Sequence, residues 1–373
     1  MPSGDGLLVR VKPFESGLTS TLLRALAEAA YRHGNGLIEL TSRANLQFRG
    51  LRADSVRAFA DTIVSLGLAS ADPGLEQRRS LTVSPLIGLD PGCAAGTWEM
   101  AQALQAMLVR SGELATLPPK FHFVVDGGGA LPLAGLGADI LLRAEGGLWR
   151  VGREDGMAVH RDIEGAAEAA RRLARVAAAR QSRLRPAQDE YGPSGLFALA
   201  GLSGATAMKP ATAQSPIGAR PGAIGLGLRF GRLDAARMAE LVDRFGVGTV
   251  RLTPWRAVLL PGVADPASLL AEASELICSP ADPAARIVAC PGAPACAGGL
   301  ADIRADSHRL EALVPASGVL HLSGCAKGCA HAGPAAITLV ATGTGYDLVR
   351  DGLASDPPHL RGGEVAQLLG PVS

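Results

Sequence analysis

An internal repeat constrains the fold of this 373-residue chain more than any other feature of its sequence. The segment GNGLIELTSRANLQFRGL, residues 34–51, is matched by GVGTVRLTPWRAVLLPGV, residues 246–263, at a constant offset of 212. Within the repeat, Thr41 falls on Thr253. Alternating apolar residues before the threonine predict a strand, and a second strand follows the turn. In each copy, a strand and a helical stretch precede the repeated segment.

Larger regions beyond the two repeats also match one another. SLTVSPLIGLDP in the first half resembles ARIVACPGAPAC in the second, and PKFHFVVDG resembles GVLHLSGCAKG. These matches predict a pseudo-twofold α+β protein with two half-units and two larger α/β domains. The predicted parts are a first half-unit at 1–70, an α/β domain without a cysteine cluster at 71–185, a Pro/Gly/Ser-rich linker at 186–221, a second half-unit at 222–275 that packs with 1–70, and a cysteine-bearing α/β domain at 276–373.

The composition fits a folded chain that does not bind polyanions in general. Hydrophobic residues make up 47% of the sequence, enough for a sizeable core in two or three domains. The formal net charge of +1 argues against a general nucleic-acid-binding protein. We find neither a signal-peptide pattern nor an apolar run of membrane-spanning length, so we expect a cytoplasmic protein with reduced thiols.

Four of the six cysteines form two close pairs in the second half of the chain. ACPGAPAC separates Cys290 from Cys296 by five residues, and GCAKGC separates Cys325 from Cys329 by three. Each pair follows a short strand-like run and lies in a loop rich in glycine or proline. Such loops bring backbone N–H groups close to bound anions or sulfides.

Three interpretations of these four thiols compete. A disulfide is disfavoured in a cytoplasmic chain. A zinc site more often uses spacings of two to four residues within each pair, so the five-residue spacing fits it poorly. An iron–sulfur cluster tolerates wider spacings and needs only thiolates, which makes it the leading interpretation. The remaining cysteines, Cys93 and Cys278, are expected to be small buried hydrophobic residues.

Together, these features resemble the sulfite and nitrite reductase repeat family over nearly the whole chain. The resemblance rests on the duplicated strand–helix units, on LTSRANLQFRGL at residues 40–51, and on the two cysteine spacings. It implies ferredoxin-like half-units and a [4Fe–4S] cluster bound by Cys290, Cys296, Cys325 and Cys329. In the reductases of this family, the last of these cysteines also bridges to the iron of sirohaem.

Within the family, SPLIGLDP, CPGAPAC and HLSGCAKGCAH resemble the oxygen-dependent monooxygenases of aerobic cobalamin biosynthesis. This resemblance implies hydroxylation of the tetrapyrrole precorrin-3A at C20 with closure of a γ-lactone. It also implies O₂, the [4Fe–4S] cluster, a mononuclear non-haem iron and electrons from NADH. We find no dinucleotide fingerprint, so we expect these electrons to arrive through a partner reductase or ferredoxin. The runner-up is a sirohaem-dependent sulfite or nitrite reductase.

The resemblance also implies catalytic residues. Arg43 in TSRAN matches the family's substrate-side arginine, and Arg79 is matched to a second one. Reductases carry two lysines in a PRKFK stretch; here Lys120 matches the first, and His122 replaces the second. The replacement removes one of the proton donors that a six-electron reduction needs, which favours the monooxygenase. Arg43, Lys120 and His122 are the predicted catalytic residues.

Precorrins carry many acetate and propionate groups, and the planar fork of an arginine suits carboxylates. The predicted substrate-binding residues are cations and amides near the repeated strand or the cysteine loop: Arg43, Asn45, Gln47, Arg49, Arg79, Lys120 and Lys327. Asn45 and Gln47 alternate with Arg43 and are therefore expected to share its face. For any single arginine the alternative is solvated surface charge.

The histidines show no clear ligand pattern for the mononuclear iron. No pair has a four-residue helical spacing or an H-x-D/E arrangement typical of a two-histidine, one-carboxylate site. His122 and His331 are the candidates, because each lies in a motif expected to face the site. Two interpretations outside enzyme chemistry are an iron–sulfur electron carrier and a zinc-stapled structural protein. The arginine-rich repeated strands argue against a simple carrier.

Overall fold

The computed structural model describes residues 1–13, 17–204, 206–208, 214–309, 314–315, 317–331 and 333–362. The strands are β1 (Pro2–Ser3), β2 (Gly6–Val11), β3 (Gly17–Leu18), β4 (Ile38–Leu40), β5 (Leu46–Leu51), β6 (Leu81–Val83), β7 (Phe123–Asp126), β8 (Ile140–Glu145), β9 (Leu148–Arg153), β10 (Gly156–His160), β11 (Gly218–Arg220), β12 (Ala223–Gly227), β13 (Arg232–Leu233), β14 (Val250–Leu252), β15 (Ala257–Pro261), β16 (Ile287–Ala289), β17 (Leu320–Ser323), β18 (Ala335–Thr342) and β19 (Gly345–Gly352). The helices are α1 (Ser20–His33), α2 (Val56–Ser65), α3 (Pro73–Arg78), α4 (Thr97–Arg110), α5 (Ile163–Arg180), α6 (Leu184–Leu199), α7 (Ala235–Arg244), α8 (Pro266–Glu272) and α9 (Ile303–Arg309). Within the described ranges, no helix combines the length and the apolar character that crossing a membrane requires.

The two repeats form two antiparallel sheets, and each sheet takes an edge strand from the other half of the chain. The strand orders are β1-β2-β5-β4-β13 and β11-β12-β15-β14-β3. Strand β13 pairs with β4, and β3 pairs with β14. Helices α1 and α7 pack on one another, and residues of both repeats share one hydrophobic core. The two half-units are therefore one interlocked body.

The helices of the half-units begin and bury one face as their sequences predict. The Thr19 side chain accepts the backbone N–H of Leu22 at the start of α1, and Asp234 caps α7 in the same way. Leu23 and Leu26 of α1 and Met238 of α7 are buried in the shared core. The two predicted helical stretches are confirmed, because their apolar residues recur at helical spacing on a single face.

The two α/β domains repeat one sheet pattern. The first sheet has the order β10-β9-β8-β7-β6, and the second has the order β16-β17-β18-β19. In each sheet a helix connects two parallel strands: α4 connects β6 to β7, and α9 connects β16 to β17. An antiparallel hairpin, β8–β9 or β18–β19, completes each sheet pattern. The matches noticed between the two halves of the sequence therefore correspond to equivalent strands.

Each half-unit is attached to the α/β domain of the other half through the same repeat position. Glu39 in the first repeat binds Arg304 of the cysteine-bearing domain. At the equivalent position of the second repeat, Arg251 donates to the carbonyl oxygens of Pro85 (3.2 Å) and Ile87 in the first α/β domain. This crossed attachment places the turn of the first repeat beside the cysteine loops.

The region predicted as a linker is partly folded. Helix α6 (Leu184–Leu199) covers its beginning, and Leu196 and Phe197 are buried in the core of the first α/β domain. These apolar residues explain why a Pro/Gly/Ser-rich segment packs. Residues 209–213 of the predicted linker lie outside the described residues.

Candidate functional site

The four paired cysteines lie in two loops at one edge of the second α/β sheet. Cys290 directly follows β16, and Cys325 and Cys329 follow β17. Because β16 and β17 are parallel neighbours, their carboxyl ends meet at the same edge. Two hydrogen bonds join the loops there: the N–H of Leu300 donates to the carbonyl oxygen of Gly324 (3.0 Å), and the N–H of Gly324 donates to the Cys290 sulfur (3.1 Å).

Glycines allow the two cysteine loops to approach closely. A Cβ atom on Gly299 would lie 2.6 Å from the backbone nitrogen of Ala293. A Cβ atom on Gly324 would lie 3.4 Å from the Cys290 sulfur. A side chain at Gly299 would collide with the backbone of its own loop, and one at Gly324 would press on the Cys290 sulfur, so both glycines allow the close packing that we call the glycine cradle.

The environment of Cys290 is typical of a thiol that needs a metal to ionise. Burial raises the pKa of the Cys290 thiol, the N–H groups of Gly324 and Gly292 lower it, and the nearby Cys296 and Cys325 raise it again. Binding of a thiol sulfur to a metal deprotonates it outright. Backbone N–H groups that point at sulfur are also a standard means of setting the potential of an iron–sulfur centre.

A single metal ion and an iron–sulfur cluster make different demands on the four thiols. Among the residues that the structure describes, no three His, Cys, Asp or Glu side chains converge closely enough to hold one metal ion. Zinc would require four ligands at roughly 2.0–2.3 Å from one centre. In a [4Fe–4S] cluster each thiolate binds its own iron, so the sulfurs surround a larger group. Four cysteine thiols in two adjoining loops, with a backbone N–H donated to the Cys290 sulfur, are the kind of donor set that a [4Fe–4S] cluster takes.

A cavity of about 260 Å³, here called the cysteine cavity, opens beside two of these thiols. Cys290 and Cys329 line it, together with the β4–β5 turn of the first repeat. Its charged lining residues are Arg10, Glu39, Arg256 and Arg304. Three guanidinium groups against one carboxylate make the cavity electropositive, which favours an anionic ligand.

Residues of the same turn also line a smaller cavity of about 40 Å³, here called the lysine cavity. Its polar lining includes Lys12, Arg43, Asn45 and Arg79. Burial lowers the pKa of Lys12 to about 8, an effect that Glu76 partly opposes. The ammonium group is therefore charged at neutral pH and loses its proton in mildly basic solution.

The predicted common face of Arg43, Asn45 and Gln47 is not what the structure shows. Arg43 lies in the turn before β5, and the left-handed backbone of Ala44 (φ 55°) interrupts the strand alternation. As a result, Arg43 and Asn45 line the lysine cavity, and Gln47 lines the cysteine cavity. The guanidinium of Arg43 donates to the carbonyl oxygen of Lys120 (3.3 Å).

Arg49, a predicted substrate-binding residue, is instead a structural clamp. It is 3% exposed, and its Nε donates to the Asp5 carboxylate (3.0 Å). Its Nη2 donates to the Ser3 hydroxyl (2.9 Å) and to the carbonyl oxygen of Ala295. Ala295 belongs to the first cysteine loop. Arg49 therefore fastens that loop to the first half-unit, which corrects the prediction of a ligand contact.

Arg79 and Lys120, both predicted to bind substrate, differ in their exposure and in their contacts. Arg79 lines the lysine cavity, but it is buried and held by the Glu76 carboxylate, with Nη2 2.8 Å from Oε1. This pairing leaves it less available to a ligand than a free cation. The side chain of Lys120 is exposed, and its position next to Arg43 comes from its backbone carbonyl.

His122 lies in the core and lines neither cavity. The residue is fully buried, and its Nε2 lies 2.9 Å from the Thr82 hydroxyl. Burial, assisted by the positive charges of Arg43 and Arg183, lowers the pKa of His122 to about 3. A neutral, enclosed imidazole cannot reach a ligand in either cavity. This corrects the prediction that His122 is catalytic.

The second cysteine loop carries Lys327, which is exposed, and His331, whose Nε2 lies 3.2 Å from the carbonyl oxygen of Pro334. The His331 ring packs edge-on at 5.6 Å from His321. Candidate iron ligands His122 and His331 lie in different α/β domains, so the described structure does not bring them together. We therefore find no fit for a mononuclear iron on this pair.

Several residues of the site are not found by sequence reasoning. They are Arg10, Lys12, Glu39, Arg304 and His321. Arg10 and Lys12 alternate along GLLVRVK, which is a weak signal for a shared face. His321 is buried, and within the described parts of the chain neither ring nitrogen has a hydrogen-bond partner. Burial lowers the pKa of His321 to about 4, with smaller contributions from His331 and Arg256.

Comparisons with known proteins agree with this architecture. Residues 1–66 and 221–268 match the nitrite/sulfite reductase ferredoxin-like half domain, which corresponds to the two half-units. The structure of the Mycobacterium tuberculosis NirA protein superposes with a TM-score of 0.72, covering 95% of this chain and 77% of that one at 16% identity. The predicted fold class is thus confirmed.

Two curated relatives narrow the family assignment. A ferredoxin–nitrite reductase from Synechococcus elongatus is 37% identical over 116 residues, which cover 30% of this chain and 23% of the reductase. A precorrin-3B synthase from Sinorhizobium is 35% identical over 393 residues, which cover 96% of this chain and 82% of that protein. The second match extends over both half-units and both α/β domains. The chain therefore belongs to the precorrin-3B synthase family.

Proposed function

We propose that this chain is a precorrin-3B synthase, a monooxygenase that hydroxylates precorrin-3A at C20 and closes a γ-lactone in aerobic cobalamin biosynthesis. The observation that carries the proposal is the arginine-lined cavity directly beside Cys290 and Cys329. A tetrapyrrole with many carboxylates is the kind of ligand such a cavity suits. The near-full-length similarity to a curated precorrin-3B synthase supports the same substrate.

The substrate would be held by cations from both halves of the chain. Arg43 and Lys12 in the lysine cavity, and Arg256 and Arg304 in the cysteine cavity, would pair with peripheral carboxylates. Asn45 and Gln47 would supply neutral hydrogen bonds in the same cavities. Because the arginines are largely buried, their pairing with carboxylates would be strong and would fix the orientation of the macrocycle.

The four paired cysteines would hold a [4Fe–4S] cluster in the glycine cradle. When bound, the cluster would supply electrons one at a time. Overall, the reaction would place one oxygen atom of O₂ in the product and release the other as water, with two electrons and two protons consumed. We infer that the electrons originate from NADH and arrive through a reductase or ferredoxin. No step is assigned to a mononuclear iron, since His122 and His331 do not form a site for it.

The protein itself would contribute to catalysis by placing the substrate beside the cluster. Cys290 and Cys329 reach the wall of the cysteine cavity, so a bound macrocycle would lie next to the electron source. The arginines of the cavity would exclude bulk water and hold the ring A acetate that closes the lactone.

The proposal can be tested by incubating anaerobically purified protein with precorrin-3A, ferredoxin, ferredoxin reductase, NADH and isotopically labelled O₂. We expect a lactone product heavier than the substrate by one labelled oxygen atom, and no product without O₂. Protein with a full complement of iron and sulfide that gives no product would overturn the proposal.

A sirohaem-dependent nitrite or sulfite reductase is the second candidate, and the partial similarity to nitrite reductases favours it. The visible spectrum of the anaerobic protein separates the two functions. A broad charge-transfer band alone fits the monooxygenase. Sharp macrocycle bands combined with nitrite- or sulfite-dependent oxidation of reduced ferredoxin would establish the reductase.

A further inference from the structure

We propose that Arg304, with Arg256 and Arg10, forms a subsite for an adjacent acetate and propionate pair on one pyrrole ring. This inference rests on the proposed function, because it assumes a tetrapyrrole ligand. It goes further by naming the chemical feature that the cysteine cavity selects, which is two carboxylates on neighbouring ring carbons.

The first argument is the state of the Arg304 guanidinium. Arg304 is 6% exposed and lies on α9, the helix that follows the first cysteine loop. Its Nη2 donates to the Glu39 carboxylate. Among the described residues, its buried Nε and Nη1 have no hydrogen-bond partner. Buried donors without partners are costly, so a ligand that accepts from them would gain affinity.

The hydrogen bonds of Glu39 to the first half-unit fix the orientation of Arg304. The other Glu39 oxygen accepts from the amide of Gln47 at 2.9 Å, and Gln47 in turn accepts from Nε of Arg10 at 3.4 Å. Glu39 is therefore fixed by the first half-unit and can orient only one edge of the Arg304 fork. The Nε and Nη1 groups of Arg304 have no partner among the described residues, and Arg304 is one of the residues that line the cysteine cavity.

The second argument is charge. Three guanidinium groups and one carboxylate line the cysteine cavity, so these side chains carry an excess of positive charge, part of which the proposed thiolate-bound cluster would offset. Burial lowers the pKa of Arg256, the carboxylate of Glu39 raises it, and Arg304 lowers it by less than Glu39 raises it. Arg304 is buried, Arg256 is half-buried and Arg10 is exposed, so a bound anion would chiefly stabilise the charges of Arg304 and Arg256. Two carboxylates on neighbouring ring carbons would give Arg304 and Arg256 one anionic partner each.

The third argument is size. The cavity measures about 260 Å³. Pockets that enclose a small molecule usually measure about 300–1,000 Å³. A whole macrocycle therefore does not fit inside, but the acidic edge of one ring does. An acetate and a propionate on neighbouring carbons would bring two carboxylates into this volume together.

Two commercial porphyrins differ in this feature and also in total acidity, so a variant with unchanged net charge is needed to separate the two effects. Each ring of uroporphyrin III carries an acetate and a propionate, and in coproporphyrin III a methyl group replaces every acetate. We would measure the dissociation constant of each porphyrin by fluorescence quenching for the complete protein at physiological salt. The test variant is Glu39→Gln/Arg304→Gln, which removes both charges of the buried pair and leaves neither partner charged alone. Arg52→Gln is the matched control, because the Arg52 side chain is exposed and forms an ion pair with the exposed Asp54 at 3.4 Å.

We expect the wild-type protein and Arg52→Gln to prefer uroporphyrin III over coproporphyrin III by about tenfold or more, since hydrogen bonds to charged groups are typically worth that factor. In the double variant we expect this preference to fall to about twofold, with coproporphyrin III binding nearly unchanged. An unchanged preference in a double variant that still binds both porphyrins would overturn the subsite and leave the proposed function standing. Failure of the wild-type protein to bind either porphyrin would count against tetrapyrrole binding itself and would overturn both.

Discussion

Ala44 and Arg256 adopt the same left-handed backbone conformation, with φ of 55° and 56°, at equivalent positions of the two repeats. In the first repeat, the preceding residue Arg43 donates to the carbonyl oxygen of Lys120 in the first α/β domain. In the second repeat, Arg256 itself donates to the carbonyl oxygen of Ala330 in the cysteine-bearing domain (3.1 Å). The same turn geometry therefore places one guanidinium group against each α/β domain. Arg43 contacts the first domain and Arg256 contacts the cysteine-bearing domain, from neighbouring positions of the turn.

This relationship predicts opposite effects of glycine at the two positions. A left-handed conformation costs a non-glycine residue about 1–2 kcal/mol, and glycine avoids this cost but loses roughly 0.5–1 kcal/mol through its greater freedom in the unfolded chain. We therefore expect Ala44→Gly to raise the free energy of unfolding by about 1 kcal/mol or less. The urea midpoint of the purified protein measures the effect.

Arg256→Gly relieves the same backbone strain but removes the hydrogen bond to Ala330 and a cation of the cysteine cavity. We expect a lower urea midpoint and weaker binding of uroporphyrin III. If both glycine variants shifted the midpoint in the same direction by the same amount, the side chain of Arg256 would have no role in joining the two domains.

The duplicated architecture was predictable because its signals are local. The strands of both repeats carry their own apolar alternation, and Thr41 and Thr253 mark the same turn in both copies. The cysteine spacing is equally local, since all four thiols lie in two loops that follow neighbouring parallel strands. The strand pairings between the halves, β3 with β14 and β13 with β4, involve two-residue strands too short to carry a pattern.

The functions of single charged residues were less predictable, because their partners are distant in sequence. Arg49 lies on the repeated strand that carries Gln47, but its hydrogen bond to Ala295 comes from a loop almost 250 residues later. Arg304 gives no sequence signal, because its ion-pair partner Glu39 lies in the other half of the chain. A strand position indicates which face a residue shares, but whether that face meets solvent, a ligand or another domain depends on tertiary packing.

The assignment of the thiols predicts that Cys325→Ser removes the cluster. A serine hydroxyl is a poor substitute for a thiolate, so we expect the broad visible absorption and most of the iron and acid-labile sulfide to be lost. Cys93→Ser is the matched control. Cys93 is buried in the first α/β domain with its sulfur 3.8 Å from the Thr97 hydroxyl, so its replacement should leave the iron content unchanged. Retention of a full cluster by Cys325→Ser would refute the ligand assignment.

The Arg49 clamp predicts a kinetic effect on the cluster. Lysine at this position keeps the charge but cannot donate to Asp5, Ser3 and Ala295 together, so the first cysteine loop should be held less firmly. We expect Arg49→Lys to lose its visible absorption several-fold faster than wild type when challenged with an iron chelator. Arg52→Lys, an exposed change on the same half-unit, should bleach at the wild-type rate. Equal rates for all three proteins would show that the clamp does not hold the loop.

The position of Lys12 predicts a pH dependence of ligand binding. Because its pKa is lowered to about 8, Lys12 loses its positive charge as the pH rises through that value. Bound carboxylates would shift this loss to a somewhat higher pH. We expect the affinity of the wild-type protein for uroporphyrin III to fall several-fold between pH 7 and about pH 9.5. Lys12→Arg keeps its charge throughout this range, so its affinity should stay nearly constant. The same fall in both proteins would exclude Lys12 as its cause.

The burial of His122 predicts that the protein loses stability in mild acid. The pKa of His122 is lowered from 6.5 to about 3 by burial in the core. Between these two values the unfolded chain binds a proton that the folded chain does not, so the free energy of unfolding decreases as the pH falls below 6.5. The decrease is about 1.4 kcal/mol per pH unit for a single group, or roughly 2 kcal/mol between pH 6.5 and pH 5. His122→Gln cannot titrate and keeps an amide that can bond to Thr82, so its urea midpoint should depend less on pH over this range. His359→Gln, a change at an exposed histidine, serves as the control and should retain the wild-type dependence. If His122→Gln lost as much stability as wild type on acidification, the acid sensitivity would have to come from other groups.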